Sequence, residues 1–373
     1  KEVIIIMERL CNAEGPQVTR TERHEEEHIR TTILDNWPHA RKGSRDFPGP
    51  QPVSMERKDL CKLSQFPYMV AEKTDGMRFL FLTGPDGAFF IDRAFRVYSA
   101  RCVPTHTRAD QSACGTVPAT HPAKLSIFDG ELVQEHGGDW SYYAHDAVIV
   151  SGVSVATKNL RERLRAIERE LGSGTPLPEC TPVCIRFVIK KMTPIAEFDF
   201  SASLGAGHDV DGLILTPVNK PVETGTQYSM YKWKSADQQT MDFLVIPKTR
   251  RYELWVYDKN ELVKFATYST KTGKGRTFEN GIPATCKIPK DGEVLECKYY
   301  KECYIPLKAR PDKSRPNSLR TIQKTIIGIQ ENITLRDLEQ QTQFGLKQGV
   351  RGVEPVQPYR DPFLSDGQAS YQP

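Results

Sequence analysis

Apolar and polar positions alternate in short runs along most of this chain, and only a few segments carry a helical period. Tyr68 to Ala71, Arg78 to Leu82, Ala88 to Asp92, Leu125 to Phe128 and Ala147 to Val150 read as strands, separated by Gly, Pro and Asp. One amphipathic helix interrupts them: Leu160, Leu164, Ile167 and Leu171 fall on one face, and Gly172 supplies the C-terminal stop. Its Arg161, Arg163, Arg165 and Arg169 are interleaved with Glu162, Glu168 and Glu170 and read as a solvated face. After a loop at Gly172 to Pro178, strand character resumes over Arg186 to Ile189 and Leu213 to Leu215. The pattern predicts a mainly antiparallel sheet with the helix packed on it.

From Asp242 the texture changes. Short strands at Phe243 to Ile246, Tyr252 to Tyr257, Leu262 to Thr267 and Val294 to Tyr299, divided by polar turns, predict a small five-stranded barrel. Thr272-Gly273-Lys274-Gly275-Arg276 lacks the spacing of a phosphate loop and reads as a hairpin tip. Asn317 to Gln330 is expected to be helical, with Leu319, Ile322, Ile326 and Ile329 on one side, and Thr334 opens another helix. The fold class is therefore α+β. The expected division is a polar N-terminal segment over 1–45, a first domain over 46–241, the barrel over 242–330, and a helix with a frayed polar tail over 331–373.

Lys plus Arg number 51 against 47 Asp plus Glu, an excess too small for a nonspecific nucleic-acid coat, so such contacts are expected to be local. No run of ~18 apolar residues occurs, so no membrane partner is expected and the chain reads as soluble and intracellular. Nine scattered cysteines fit a reducing compartment, and neither Cys180/Cys184 nor Cys297/Cys303 has zinc-ribbon spacing. His24-Glu25-Glu26-Glu27-His28 matches HExxH, but its flanks show no apolar face, so a solvated helix is expected there. Lys1 in place of an initiator methionine suggests a piece of a longer polypeptide.

The candidate chemistry centres on Lys73-Thr74-Asp75-Gly76-Met77-Arg78, which puts a lysine at a strand end beside an acid and a glycine. A free lysine amine titrates near pH ~10.4 and attacks phosphorus only when neutral, so burial or neighbouring cations must help it. Lys232 and Lys234, with Arg310 and Lys313, supply such cations and could also clamp a phosphate. Alone, a KTDG tetrapeptide fits a surface turn equally well. Asp75 and Asp129, each preceding a glycine, fit turn-fixing roles as well as functional ones. Trp233, alternating with the two lysines, reads as a core anchor.

The order of the remaining stretches reverses the odds. Phe47-Pro48-Gly49-Pro50-Gln51-Pro52, the lysine stretch, Ile91-Asp92-Arg93, Phe128-Asp129-Gly130-Glu131, Tyr142-Tyr143-Ala144-His145-Asp146, Asp211-Gly212-Leu213-Ile214, Lys232-Trp233-Lys234 with Thr240-Met241-Asp242-Phe243, and Arg310-Pro311-Asp312-Lys313 follow one another over roughly residues 45–345. Together they resemble the mRNA capping guanylyltransferases, a branch of the covalent lysine nucleotidyltransferases. The resemblance implies an ATP-grasp-like nucleotidyltransferase domain of antiparallel sheets with helices, followed by an OB-fold barrel domain.

It also implies roles. Lys73 is the nucleophile that takes GMP from GTP. Lys232 and Lys234 hold the α-phosphate, and Arg310, Asp312 and Lys313 form the final motif on the barrel. Arg78, Arg93 and Glu131 face the ribose side, one of Tyr142 and Tyr143 stacks on the base, with Tyr142 favoured by its spacing to Asp146, Lys190 or Lys191 reads guanine O6, and Asp242 belongs to the nucleotide-binding set. Asp211 lies beside a divalent metal, magnesium or manganese. His145 stands where the family more often has an aromatic residue. The implied reaction forms a lysine–GMP phosphoramidate and hands the GMP to a 5′-diphosphate RNA end, in a cleft that closes between domains. RNA polymerase, or an attached or associated RNA triphosphatase or cap methyltransferase, are the implied partners. The implied place is the nucleus, or the cytoplasm for a viral enzyme. An ATP-dependent polynucleotide ligase and a catalytically inactive RNA-binding module are the alternatives.

Overall fold

A computed structural model describes residues 11–12, 15–16, 18–100, 124–138, 140–172, 185–202, 208–248, 251–269, 292–300, 303–311 and 313–347. The first part of the chain runs β1 (Val18–Arg20), α1 (Arg23–Asn36), β2 (Gln51–Ser54), β3 (Tyr68–Thr74), β4 (Met77–Gly84), β5 (Gly87–Asp92), β6 (Val97–Ala100), β7 (Ser126–Gln134) and β8 (Trp140–Val150). Then come α2 (Leu160–Gly172), β9 (Ile185–Ile189), β10 (Val210–Pro217) and β11 (Thr226–Trp233). The last part holds β12 (Thr240–Lys248), β13 (Arg251–Asp258), β14 (Glu261–Ser269), β15 (Glu293–Tyr300), β16 (Cys303–Ala309), α3 (Leu319–Glu331) and α4 (Leu335–Lys347). Thr272 to Arg276, Cys180, Cys184 and the tail from Val353 lie outside the described residues.

Three sheets carry the fold. The eight-stranded sheet is ordered Val153–Ser154, β8, β7, β4, β5, β6, β1, with β9 added in parallel to β8. A five-stranded sheet is ordered Thr193–Pro194, β3, β10, β11, β2, its last pairing parallel. The third runs β14, β13, β12, β15, β16 and is antiparallel throughout, with β16 completing the five strands of which the sequence pattern named four.

Strand alternation explains how the large sheet is covered on both faces. On β4, Phe79 and Phe81 point into one core with Tyr142 and with Ala166 and Ile167 of α2, while Leu80 and Leu82 point into another. That second core is closed by Ile29, Ile33, Leu34 and Trp37 from α1 and the residue after it. Helix α1 is therefore not the solvated helix expected from its charged flanks: its apolar stripe begins only at Ile29, past the HExxH match, and is buried. His28 at its surface meets Asp86 at 3.2 Å. The arginine-rich face of α2 is also not wholly solvated, because Arg163 is only 2% exposed.

The C-terminal helices tie the lobes together. Ser318 caps α3 by accepting from the Thr321 amide at 3.2 Å, and Ile322 enters the core of the third sheet. Helix α4 then returns to the five-stranded sheet, where Leu338 shares a core with Tyr231 and Trp233. At Gly345 a Cβ would sit 2.6 Å from Ser64 Cα, so only a bare backbone lets α4 approach the Arg57–Ser64 turn. Leu338→Ala is expected to cost about 2–5 kcal/mol in urea melts, because it empties a closed core. Leu346, 48% exposed on the same helix, is the control: Leu346→Ala should stay within about 0.5 kcal/mol of the parent.

Candidate active site

Lys73-Thr74-Asp75-Gly76 is the crossing by which the chain leaves the five-stranded sheet at β3 and enters the eight-stranded sheet at β4. Two observations fix it. The Asp75 amide donates to Asp209 O at 2.9 Å, and a Cβ on Gly76 would lie 2.7 Å from Leu132 O on β7. The two sheets splay around this crossing and leave a cleft of about 570 Å³, in the size range of small-molecule sites.

Lys73 Nζ donates to Asp211 Oδ1 at 2.6 Å, and Lys234 pairs with Oδ2 of the same carboxylate. Asp211 is aimed at these lysines by an irregularity in the β10–β3 pairing between Val210 and Leu213. Gly212 makes that irregularity possible: its φ is +143°, and a Cβ there would strike Trp233 O at 2.0 Å. On β11 and the residue after it, period-two alternation sends Lys232 and Lys234 toward the cleft side while buried Trp233 donates Nε1–H to Ile333 O at 2.9 Å, as expected of a core anchor. Burial, and then Lys73, Lys234 and Arg93, push the Lys232 ammonium below its ordinary pKa.

Farther along the cleft, Arg78 Nε and Nη2 grip Asp129, with Nε to Oδ1 at 2.9 Å, and Nη1 donates to Pro50 O at 2.6 Å. The Arg78 guanidinium also lies 5.1 Å from the centroid of the Phe47 ring, so the Pro-rich loop is fastened to the wall. Asp129 sits within β7 and holds a side-chain pair, not a turn. Burial works to raise its carboxyl, yet Arg78 and then His145, at 3.4 Å, hold it well below the usual range. Glu131 accepts from the Thr74 hydroxyl at 2.6 Å, and Lys190 Nζ donates to that hydroxyl at 3.1 Å. Burial pushes the Lys190 ammonium down, and Arg93 Nη2 donates to Gln51 Oε1 at 2.8 Å.

The structure therefore brings Lys73, Arg78, Arg93, Glu131, Lys190 and Lys232 to one cleft. Arg310 and Lys313, from the third-sheet lobe, line an adjoining cleft of about 700 Å³ with Asp211, Lys234 and Asp242. The two clefts share Asp75 and Lys232. Asp242 is ion-paired with Lys313 and, at 3.5 Å, with Arg310, so it organises the cations of its own lobe. Asp312 lies outside the described residues.

One assignment is corrected, and one open pair of alternatives is narrowed. Tyr142 is fully buried among Phe81, Phe90 and Phe187, with its hydroxyl donating to Phe79 O at 3.0 Å, and takes no part in the cleft. Alternation on β8 puts Tyr142 and Ala144 in the core and brings His145 to the cleft instead. Lys191 is exposed and off the cleft wall, whereas Lys190 is buried in it. Sequence reasoning also missed the Asp146–Arg163 pair, in which Arg163 Nε reaches Asp146 Oδ1 at 2.6 Å and anchors α2 behind the cleft. The signal available was the apolar spacing of α2, which places Arg163 between Leu160 and Ala166 on the sheet side.

Tyr142→Phe removes only a buried hydrogen bond, so a loss of about 0.5–1.5 kcal/mol in denaturant melts is expected. Asp129→Ala strands Arg78 and His145 and should cost about 3–5 kcal/mol at pH 7. The native Asp129 pKa is depressed, so its contribution is complete above the unfolded value of about 3.9 and fades as pH falls toward the native one. The stability gap between parent and variant should therefore narrow below about pH 4 in urea melts.

Comparison with known proteins agrees with this arrangement. Residues 13–236 match the family model of the mRNA capping enzyme, catalytic domain, and residues 222–339 match that of the mRNA capping enzyme, C-terminal domain. The mRNA-capping enzyme subunit alpha of Candida glabrata is 27% identical over 364 residues, covering 80% of each chain. Its Saccharomyces cerevisiae counterpart is 26% identical, covering 80% of this chain and 79% of that one. The mRNA-capping enzyme of Danio rerio is 27% identical over 310 residues, covering 77% of this chain and 48% of its own. Since the catalytic model alone spans more than half of the 373 residues and takes in the whole Lys73 cleft, the chain belongs to the mRNA capping enzyme family.

Proposed function

We propose that Lys73 accepts GMP from GTP in this cleft and passes it to the 5′-diphosphate end of an RNA. The chain is an enzyme, an mRNA guanylyltransferase. The observation that carries the assignment of the nucleophile is the placement of Lys73 Nζ at the sheet-to-sheet crossing, on the carboxylate it shares with Lys234 and in the cleft lined by Lys232.

In the first half-reaction the neutral amine attacks the α-phosphorus. An N–P bond forms, the bond to the bridging oxygen breaks, pyrophosphate leaves with the electron pair, and the nitrogen gives up one proton to solvent. Lys232 and Lys234 neutralise the α-phosphate oxygens as charge spreads over them. Arg310 and Lys313 meet the leaving phosphates when the lobes approach, exchanging Asp242 for the triphosphate. Arg78, Arg93 and Glu131 orient the ribose side, and Lys190 donates to guanine O6. In the second half-reaction the terminal phosphate oxygen of the RNA attacks the same phosphorus and Lys73 leaves.

A hard divalent cation takes one or two carboxylates and completes its shell with phosphate oxygens and water. Asp211 suits that donor set, and among the described residues no group of three or more His, Cys, Asp or Glu forms a ready-made cage. Held by Asp211, magnesium or manganese would supply further charge neutralisation at the α-phosphate. The third sheet, five antiparallel strands flanked by α3, is read as an OB-fold barrel. RNA polymerase, or an RNA triphosphatase or cap methyltransferase, are the proposed working partners, in the nucleus or, for a viral enzyme, the cytoplasm.

Denaturing gels after incubation with α-labelled GTP or ATP and a divalent metal test the proposal. Label should be retained from GTP only, and Lys73→Ala should lose it entirely while keeping the parental circular dichroism spectrum. Label from ATP alone would mean a ligase-type activity. Label surviving on the Lys73→Ala variant would remove Lys73 as the nucleophile.

A further inference from the structure

In-line chemistry fixes where the RNA must come from. An attacking group enters opposite the group that leaves, so the RNA end that expels Lys73 must occupy the apical position pyrophosphate vacated. Its two phosphates therefore retrace the path from the α-phosphate toward Lys234, Arg310 and Lys313. That path opens into the second cleft, about 700 Å³, whose lining also holds uncharged polar groups.

Besides its lysines, arginine and acids, that cleft is lined by Gln239, Thr321, Thr325 and Gly328, and Gln239 Nε2 donates to Lys234 O at 3.4 Å, which joins this group to the cations. Three of these lie on α3, with Thr321 and Thr325 one turn apart. The Thr325 hydroxyl donates to Thr321 O at 3.0 Å and keeps its acceptor capacity. Gly328 lets the Gln239 amide pack directly against α3: a Cβ there would lie 2.9 Å from Gln239 Oε1. The wall is held in place from the other lobe, since Lys324 pairs with Glu56 at 2.7 Å and the Arg57 amide donates to Glu331 at 2.7 Å. A cationic cluster adjoining a group of hydroxyls and an amide suits an RNA 5′ end, whose diphosphate is joined to a ribose and a base.

We propose that the wall formed by Gln239 and the Thr321–Thr325–Gly328 face of α3 is the acceptor subsite, which receives the first nucleoside of the 5′-diphosphate RNA. The proposal rests on the guanylyltransfer reading above and adds to it the place of the second substrate. In the guanylyltransfer reading GTP has no group left to reach this wall. Pyrophosphate, which ends at the cations, does not need it either.

The test separates the two acceptors. Purified lysine–GMP protein is mixed with 5′-diphosphate RNA or, separately, with pyrophosphate, which reverses the first step. In Thr325→Trp the indole fills the subsite, so the ratio of RNA transfer rate to pyrophosphate reversal rate should fall by about tenfold or more. An unchanged ratio, or equal losses in both reactions, would overturn the subsite. If Thr325→Trp does not fold, the parental protein decides: a 4-thiouridine at the first position of the RNA should crosslink to the 319–331 peptide of α3. Crosslinks confined to other peptides would overturn it. Failure of the guanylyltransfer reading is a different result, since no lysine–GMP would form in the parent.

Discussion

One carboxylate organises this molecule. Asp211, lifted out of its strand by the irregularity at Gly212, is shared by Lys73 from β3 and Lys234 after β11, so three segments far apart in sequence meet on two oxygens. A half-buried acid between two lysines keeps like charges together in a place where Lys232 is already pushed toward its neutral form. The same arrangement makes the cleft receptive. A phosphate arriving there offers oxygens to lysines that are already gathered, so little has to be rearranged beyond releasing the acid.

The larger elements were legible in the sequence because their periodicity is local. Alternation at Phe79 to Leu82 and the four-three spacing of α2 are readable from neighbouring residues alone. Which strands share a sheet was not readable, and it matters most at Lys73, where the turn expected from Asp-Gly is a passage between two sheets. Charge-rich segments misled in the same way twice. Glu26 and Arg163 look solvated by composition but are buried with partners, because the apolar residues that bury them lie one turn farther on.

Within the site, the residues on strongly marked motifs converge on the adjoining clefts as expected, while Tyr142 does not. Its misplacement has a simple cause. Counting back from Asp146 gives no parity for β8, and the pairing with β7 slips between Ala144 and Asp146, so His145 and Asp146 both reach the cleft. Lys190 against Lys191 is the same problem at a strand end: the Lys190 amide donates to Ala144 O at 2.7 Å, and it is the Lys190 side chain that lines the cleft.

The third-sheet lobe is stitched to the first at both of its ends. The chain leaves β11 through Lys234 to enter β12, and it comes back through α3 and α4 to bury Leu338 under Trp233. A lobe leashed in this way cannot drift off as a bead on a string. Two separate tethers of this kind narrow the ways the lobe can shift, and they keep Arg310 and Lys313 on the wall that adjoins the Lys73 cleft.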